Sequence, residues 1–242
     1  MISDRLINSL ATAIASKAKL PEFPPGVTVA EAYQWLPELT QQASGNVPIG
    51  IKAGITNPDL QQVFGLDEPL IGLLSRSSEI KGHAVLSYSP HRLIECEMAV
   101  TFSADGSPLA IGPAAEFIHL DFARPEDMTP GNVTLCNLGA DQFICGEMVA
   151  WDTFDFERLT SIEIVAKRDG ETLLTASPMD SLGGPKIAHD WCISKAKSLG
   201  FHLPEGGILL AGTNGSALPG EPGDYEIHYG SLGSIRFSIS EA

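Results

Sequence analysis

Two glutamates in the stretch IECEMAV, residues 94–100, have the residue type and the spacing for metal chemistry. Glu95 and Glu97 stand two apart in an apolar run with the character of a strand, so their side chains leave from one face. Repulsion between the two carboxylates raises the pKa of at least one of them unless a cation lies nearby. An exposed strand face with two solvated glutamates is the alternative. The apolar flanks favour burial instead, and buried charges are paired or metal-bound.

A third carboxylate follows at Glu116, nineteen residues after Glu97, within another apolar run, IGPAAEFIHLDFAR. Three carboxylates without sulfur or imidazole suit a hard cation, and Mg²⁺ in particular keeps coordination positions for water and substrate. The sequence therefore favours a magnesium site built from these three side chains.

The composition argues against several classes of partner. The 242 residues include 30 acidic and 15 basic side chains, a formal net charge of −15, which disfavours binding to nucleic acid phosphates. The N-terminal stretch mixes charged residues into its apolar positions, and no later run is long enough to span a bilayer. We therefore expect a soluble, cytoplasmic protein that binds neither nucleic acid nor membrane. The four cysteines form no CxxC pair and no zinc-type cluster, which favours buried free thiols.

The elements that must position these residues divide the chain into a helical start and a strand-rich remainder. Apolar residues at helical spacing predict a helix over 2–19, and the capping-box spacing of Thr28 and Glu31 predicts the start of a second. Residues 1–45 are thus expected to be helical. Residues 46–242 are rich in glycine and short β-branched runs, with hairpins predicted around Asp169-Gly170 and over 225–240. A further helix from 185 is expected to end at Gly200.

Several stretches follow one another in an order typical of one enzyme family. They are GIKAGITNPDLQQVFGLDEPLIGLL (50–74), IECEMAV (94–100), GPAAEFIHLDF (112–122), GADQF (139–143), SLGGP (181–185) and GGILLAGTNG (206–215). Over nearly its whole length the chain resembles the hydratase/decarboxylase branch of the fumarylacetoacetate hydrolase superfamily, which includes 2-keto-4-pentenoate hydratases and 4-oxalocrotonate decarboxylases. The resemblance implies an α+β fold, a fumarylacetoacetate hydrolase-like mixed β-sandwich or roll with a helical N-terminal portion.

The resemblance also implies a divalent cation, Mg²⁺ or Mn²⁺, held by Glu95, Glu97 and, through GPAAE, Glu116. Lys52 in GIKAGIT matches the lysine of a family motif. By resemblance it lies beside the substrate, where it would transfer a proton or hold the developing negative charge, whereas a lone lysine is usually a solvated side chain. A nearby metal and an apolar wall are expected to lower the pKa of Lys52, so that it exchanges a proton near neutrality.

The implied substrates are 2-keto acids or their enols, whose C1 carboxylate and C2 oxygen can chelate a metal that acts as a Lewis acid. A hydratase converts the dienol to a conjugated enone to which water adds, whereas a decarboxylase expels a distal carboxylate. The three carboxylates cannot choose between these reactions, so the choice must come from the pocket wall. That wall is expected among Leu70, Leu73, Leu74, Ser181 with the rest of SLGGP, and the turn Gly212–Gly215, which includes Thr213.

Three departures from the family bear on the substrate. Asp121 stands in a stretch where relatives usually carry an arginine, so it would not help to bind a second carboxylate. Met179 and Gly184 occupy positions that are often polar in relatives. The spacing from Glu97 to Glu116 is shorter than usual, which indicates a trimmed peripheral helix. A different keto acid or a lost activity would account for these differences.

The histidines are further candidate acids and bases in the sequence. His119 could be an additional acid or base, but a hydrogen-bonded core histidine is favoured. His91, His189 and His202 form no recognisable catalytic arrangement, and hydrolysis is therefore disfavoured.

The leading hypothesis is a Mg²⁺-dependent lyase for an unsaturated 2-keto acid, with hydratase ahead of decarboxylase. A noncatalytic subunit that partners an active paralogue is the alternative, and the family implies a homo-oligomer.

Overall fold

The computed structural model describes residues 2–82 and 84–241. Within these residues the chain forms five α-helices and thirteen strands. The helices are Asp4–Ser16 (α1), Val29–Ser44 (α2), Pro58–Phe64 (α3), Pro130–Leu135 (α4) and Pro185–Ser198 (α5). The strands are Pro48–Gly54 (β1), Leu70–Ser75 (β2), Ala84–Ser87 (β3), Arg92–Phe102 (β4), Pro108–His119 (β5), Ala140–Cys145 (β6), Val149–Ala150 (β7), Ile164–Arg168 (β8), Glu171–Ala176 (β9), Gly207–Leu210 (β10), Leu218–Pro219 (β11), Gly223–His228 (β12) and Ser234–Ser240 (β13).

The residues that were predicted to start α2 and to end α5 do so in the structure. The Glu31 backbone N–H donates to Thr28 Oγ1 at 3.2 Å, and the Glu31 carboxylate accepts from the Thr28 backbone N–H at 3.2 Å. This reciprocal cap satisfies two donors that the first turn of α2 would otherwise leave unpaired. Helix α5 ends at Ser198, two residues before Gly200, whose φ of +72° is the left-handed conformation that stops a helix. The three predicted helices are confirmed.

A large sheet carries the candidate ligands. Its strands run in the order β2-β1-β10-β4-β5-β6, with the short strands β11 and β7 paired to β4 and β5. Strand β1 is parallel to β10, and the other pairs are antiparallel. The sheet curls on itself, because Glu79, just after β2, forms a bridge to Phe143 in β6, at the opposite end of the strand order. The sheet therefore forms a roll with an inner and an outer face.

A second sheet has the strand order β3-β13-β12-β8-β9 and contains both predicted hairpins. Strands β8 and β9 are joined at Asp169 and Gly170, with φ of +50° and +85°. Positive φ at both central residues is characteristic of the tight hairpin turn that matches the twist of the strands. Strands β12 and β13 pair from Gly223 to His228 around a second turn. Both hairpin predictions are confirmed.

The main core lies between the two sheets. Phe117 of β5 packs edge-to-face against Phe237 of β13, with ring centroids 4.8 Å apart. Tyr229 directly follows β12 and is buried, and its hydroxyl donates a hydrogen bond to the backbone oxygen of Ala114 in β5. The inside of the roll is filled separately by a smaller apolar cluster of Leu74, Ala99, Ala114, Phe143, Ile208 and Leu210. These two packed layers give the expected α+β architecture of roll and sandwich.

The N-terminal helices cover one end of the roll. Ile7 and Leu10 of α1 pack with Leu39 of α2 and Leu135 of α4. The Tyr33 hydroxyl of α2 accepts the Ile71 backbone N–H of β2 at 3.0 Å, which satisfies a donor at the end strand of the sheet. The helical start is therefore fixed to the same sheet that carries the candidate ligands.

The cysteines are free thiols, as predicted, and three of the four are buried. Among the described helices, none combines the length and the apolar character needed to cross a bilayer.

Candidate metal centre and cavity

Strand register brings the three predicted carboxylates together. In the antiparallel pair of β4 and β5, Glu95 lies opposite Glu116, and Glu97 lies opposite Ala114. Directly opposed residues share a face, so Glu95, Glu97 and Glu116 all point to the inside of the roll. One oxygen from each carboxylate lies within 4.8 Å of the others. Two strands with one register therefore suffice to build this carboxylate cluster.

The carboxylate cluster has the donors for a hard cation. The side chains of Glu97 and Glu116 are buried, and Glu95 is half-buried. Glu97 Oε2 accepts the Gly212 backbone N–H at 2.7 Å, whereas Glu97 Oε1 and Glu116 Oε2 have no hydrogen-bond partner among the described residues. Buried acceptors without donors are rare in folded proteins. Converging carboxylate oxygens with free lone pairs are what Mg²⁺ or Mn²⁺ requires, so the residues present fit a divalent cation.

Lys52 lies beside the carboxylate cluster, on strand β1 of the same sheet. Its Nζ is 2.6 Å from Glu116 Oε1 and 3.9 Å from Glu95 Oε2, and its side chain is 2% exposed. Gly72 of β2 faces Lys52 across the pair, and a Cβ at that position would lie 2.9 Å from Lys52 Cγ. The absence of a side chain at Gly72 therefore makes room for the aliphatic part of Lys52.

The carboxylates around Lys52 dominate its electrostatics when no metal is present. Burial alone would lower the pKa of Lys52, but the nearby carboxylates of Glu116, Glu95 and Glu97 outweigh it and raise the pKa. Burial and repulsion between carboxylates raise the pKa of Glu97 well above its usual value. The predicted lowering of the Lys52 pKa assumed a bound metal as well as an apolar wall, and it stays a prediction for the metal-bound protein; with the side chains alone, the anions around the ammonium group act in the opposite direction. Without a metal, these carboxylates favour the charged form of Lys52.

The glycine-rich turn after β10 supports Glu97. Gly212, with φ of +95°, directs its backbone N–H at Glu97 Oε2. Ser181 donates its hydroxyl to the Ala211 backbone oxygen at 2.7 Å, which fixes the residue before Gly212. Gly212 therefore contacts the candidate ligand Glu97 directly, and Ser181 supports it through Ala211. Neither Ser181 nor Gly212 lines the cavity described below. Thr213, the next residue, does line it.

Replacement of Gly212 with alanine is expected to lower both stability and metal affinity. A Cβ at this position would lie 2.5 Å from both Ser181 Oγ and Thr56 Cγ2, so the turn must shift and the N–H must leave Glu97. Overpacking of this kind costs about 1–3 kcal/mol of unfolding free energy. Urea unfolding and Mn²⁺ titration calorimetry would measure both effects. Gly45→Ala is the matched control, because Gly45 also has positive φ, +69°, but has open space around it. Unchanged Mn²⁺ affinity in Gly212→Ala would contradict the support assigned to this turn.

A cavity of about 610 Å³ opens beside the carboxylate cluster. Lys52 and Glu95 lie in its wall together with the polar residues Asn57, Asp59 and His91. Most of the remaining wall is apolar, and includes Leu60, Phe64, Leu93, Ile118, Met128 and Leu138. The cavity therefore combines a charged region at the carboxylate cluster with an apolar remainder.

The structure places the three predicted wall leucines elsewhere. Leu70 is buried in the main apolar core. Leu73 pairs with Ile51 on the face opposite to Lys52, and it borders a separate cavity of about 250 Å³ near α1 and α2. Leu74 is on the same face as Lys52 but is buried in the apolar cluster inside the roll. The expectation that Leu73 and Leu74 line the cavity is therefore corrected, because Leu73 faces the other side of the sheet and Leu74 packs inside the roll.

The departures at Met179 and Gly184 are also outside the described cavity wall. A Cβ on Gly184 would lie 2.6 Å from Met179 Cε, so the two positions are packed against each other near the start of α5. Asp121 lies closer, with Oδ1 3.5 Å from His91 Nε2. His119 accepts or donates a hydrogen bond with Ser89 Oγ at 2.9 Å, and burial lowers its pKa. Of these departures, only Asp121 touches a residue of the cavity.

Sequence reasoning missed several wall residues that strand periodicity could have found. His91 and Leu93 alternate with Glu95 along β4 and the residue before it, and Ile118 alternates with Glu116 along β5. Residues two apart on a strand share a face, so each follows from its glutamate. Leu60 on α3 and Met128 in the loop before α4 carry no such signal, because only tertiary packing brings them to the opening.

Comparisons with known proteins agree with the resemblance seen in the sequence. No protein-family model matches the chain. It is 26% identical over 229 residues to 4-oxalocrotonate decarboxylase of Pseudomonas sp. (strain CF600), covering 87% of this chain and 85% of that protein. It is 26% identical over 241 residues to 2-keto-4-pentenoate hydratase of Burkholderia vietnamiensis (strain G4 / LMG 22486), covering 93% of this chain and 91% of that protein.

Solved structures show the same fold. The 4-oxalocrotonate decarboxylase from Pseudomonas putida G7, complexed with magnesium and adipate, aligns with a TM-score of 0.83 at 23% identity over 99% of each chain. The fumarylpyruvate hydrolase from Pseudomonas aeruginosa, in complex with Mn²⁺ and pyruvate, aligns with a TM-score of 0.57 at 13% identity over 79% of this chain and 89% of that one. The expected mixed roll and sandwich with a helical start is confirmed.

Proposed function

We propose that the chain is a divalent-metal-dependent lyase of the hydratase/decarboxylase branch of the fumarylacetoacetate hydrolase superfamily, acting on an unsaturated 2-keto acid or its dienol. The observation that carries the proposal is the convergence of three carboxylates within 4.8 Å of one another, beside Lys52 and a cavity. A hydratase is the leading activity.

Glu95, Glu97 and Glu116 would hold the cation. A bound Mg²⁺ or Mn²⁺ would supply Lewis-acid stabilisation of negative charge at the C2 oxygen of a chelating 2-keto acid. The half-buried Glu95 is the carboxylate that reaches the cavity wall, whereas Glu97 and Glu116 lie deeper. The substrate carboxylate end would therefore lie at the Glu95 side of the cavity.

Lys52 is the candidate proton donor. Both candidate reactions need a proton on a carbon of a dienol or dienolate, before water addition in a hydratase and after loss of CO₂ in a decarboxylase. Lys52 Nζ lies 2.6 Å from Glu116 Oε1, and Lys52 is also part of the cavity wall, so its ammonium group lies between the carboxylate cluster and the cavity. A positioned acid of this kind contributes typically about 10²–10⁴-fold to rate. Lys52 Nζ would deliver the proton to that carbon and regain a proton from solvent.

Of the two alternatives, only the decarboxylase has a specific observation in its favour. A 4-oxalocrotonate-type decarboxylase is supported by relatives of that name at the same 26% identity as the hydratases. A noncatalytic subunit would be supported by damage to the ligand set, but Glu95, Glu97, Glu116 and Lys52 are all present and adjacent. Association into a homo-oligomer, or with a paralogous subunit, stays a prediction.

Metal-dependent turnover tests the proposal directly. With Mg²⁺ or Mn²⁺ present, we expect the protein to change the ultraviolet absorbance of 2-hydroxypenta-2,4-dienoate, and to lose this activity in EDTA and regain it on metal addition. A parallel assay with 4-oxalocrotonate separates hydratase from decarboxylase. A protein that binds Mn²⁺ but turns over none of a panel of such acids would instead be the noncatalytic subunit.

A further inference from the structure

We propose that the substrate carries a single carboxylate and an uncharged, apolar tail that is longer than a vinyl or methyl group. This inference rests on the proposed function and adds the chemical class of the substrate. The tail would lie along Leu60, Phe64 and Met128, between the carboxylate cluster and the mouth of the cavity.

The charges of the cavity wall argue against a second carboxylate on the substrate. Among the described residues of the wall, Lys52 is the only lysine or arginine, and its ammonium group already lies 2.6 Å from Glu116 Oε1. His91 has Asp121 within 3.5 Å, so any positive charge on its ring is matched by a carboxylate of the protein. Asp59 adds a further negative charge. A distal carboxylate would thus leave water for a wall that offers it no cation.

The exposed apolar side chains at the mouth indicate what the tail should be. Leu60 is 49% exposed and Met128 is 52% exposed, and both border the cavity. Helix α3, which carries Leu60, buries none of its residues. Large apolar side chains grouped at the rim of a cavity mark a surface that an apolar ligand group covers. Leu93 and Ile118 continue this surface inward from the rim to the carboxylate cluster.

The size of the cavity agrees with a longer tail. Its volume of about 610 Å³ lies within the range of roughly 300–1,000 Å³ that accommodates ligands of drug size. A five-carbon acid anchored at the carboxylate cluster would leave most of the apolar wall in contact with water. An alkyl or aryl tail would remove that wall from water and gain the corresponding hydrophobic free energy.

Binding of three unreactive 2-oxo acids to the Mg²⁺-loaded protein tests the inference by calorimetry. Pyruvate probes the carboxylate cluster alone, 2-oxooctanoate adds an apolar tail, and 2-oxooctanedioate ends a tail of the same length in a carboxylate. We expect 2-oxooctanoate to bind at least tenfold more tightly than either of the others. Binding of pyruvate only when Mg²⁺ is present would keep the proposed function separate from this test.

Rim variants locate the tail. Leu60→Ser and Met128→Ser should each weaken 2-oxooctanoate about threefold to tenfold and leave pyruvate unchanged. Val63→Ser is the matched control, because Val63 is on the same helix, is 79% exposed and is not among the described wall residues. Leu60→Arg should reverse the preference in favour of 2-oxooctanedioate, because it supplies the cation that the wall does not have.

The outcomes are distinguishable. Pyruvate binding with Mg²⁺, together with equal or tighter binding of 2-oxooctanedioate than of 2-oxooctanoate, would overturn the inference and leave the proposed function intact. Equal effects of Val63→Ser and Leu60→Ser would also overturn the placement of the tail. If no 2-oxo acid binds in the presence of Mg²⁺, the proposed function fails and the inference fails with it.

Discussion

Replacement of Glu97 with glutamine is expected to abolish metal-dependent turnover while leaving the fold intact. Glu97 is buried, and its Oε2 accepts the Gly212 N–H while Oε1 has no hydrogen-bond partner among the described residues. Glutamine can keep the bond to Gly212, but it turns one of three anionic donors into a neutral group. Because changes to residues behind metal ligands already cost about 10–100-fold in affinity, loss of a ligand should cost on the order of 100-fold or more.

Stability measurements separate this effect from misfolding. At a Mg²⁺ concentration of 100 times its dissociation constant, the cation should stabilise the original protein by about 2.7 kcal/mol. With affinity lowered 100-fold, the same concentration should stabilise Glu97→Gln by only about 0.4 kcal/mol. Glu171→Gln on β9 is the control, because Glu171 is exposed and lies in the second sheet, whereas the carboxylate cluster lies in the first. A Glu97→Gln protein that still gains the full Mg²⁺ stabilisation would show that Glu97 is not a ligand.

Replacement of Lys52 with methionine is expected to make stability strongly dependent on metal. Methionine keeps the apolar part of the side chain beside Gly72 but removes the positive charge next to Glu116. Three clustered carboxylates without that cation should cost about 3–5 kcal/mol of unfolding free energy when no metal is added. Added Mg²⁺ should restore most of this loss, because Lys52 and a cation act on the same carboxylates. Urea unfolding with Mg²⁺ and with EDTA measures the difference.

The same variant tests the chemical role of Lys52. With Mg²⁺ saturating, turnover of the dienol should fall about 10²–10⁴-fold, because the positioned proton donor is lost although the metal ligands remain. Lys19→Met is the control, since Lys19 is exposed and outside the described cavity wall. A Lys52→Met protein with nearly unchanged turnover would assign the proton to another group. Weaker Mg²⁺ binding in this variant would contradict the competition between Lys52 and the cation.

Local sequence patterns were sufficient to predict the strand that carries Glu95 and Glu97, the capping box and the hairpin turn. The two-residue spacing of Glu95 and Glu97 predicted a shared face, and the β4–β5 register, with Glu95 opposite Glu116, provides it. The capping box at Thr28 and the Asp169-Gly170 hairpin also formed as predicted. Each of these features depends on residues close in sequence or on the alternation of one strand, so backbone geometry alone carries the information.

The cavity wall could not be obtained in the same way. Leu73 and Leu74 were expected to contact the substrate, but Leu73 packs in the core between the sheets and Leu74 packs inside the roll. Leu60 and Met128 took their place at the rim although they are 68 residues apart in the chain. No periodicity links them, because their proximity depends on how α3 and the loop before α4 are placed over the roll.

The sequence by itself placed Glu95 and Glu97 on one strand face, since side chains two apart on a strand share a face. The pairing of strands then brought Glu116 and Lys52 to the same place. Only the tertiary structure decided which charges surround Lys52 and how apolar the cavity is. The physical reason is that a pKa depends on every charge around a buried group, and a cavity depends on side chains from distant segments. Both are properties of the packed molecule, whereas a shared strand face is a property of the backbone.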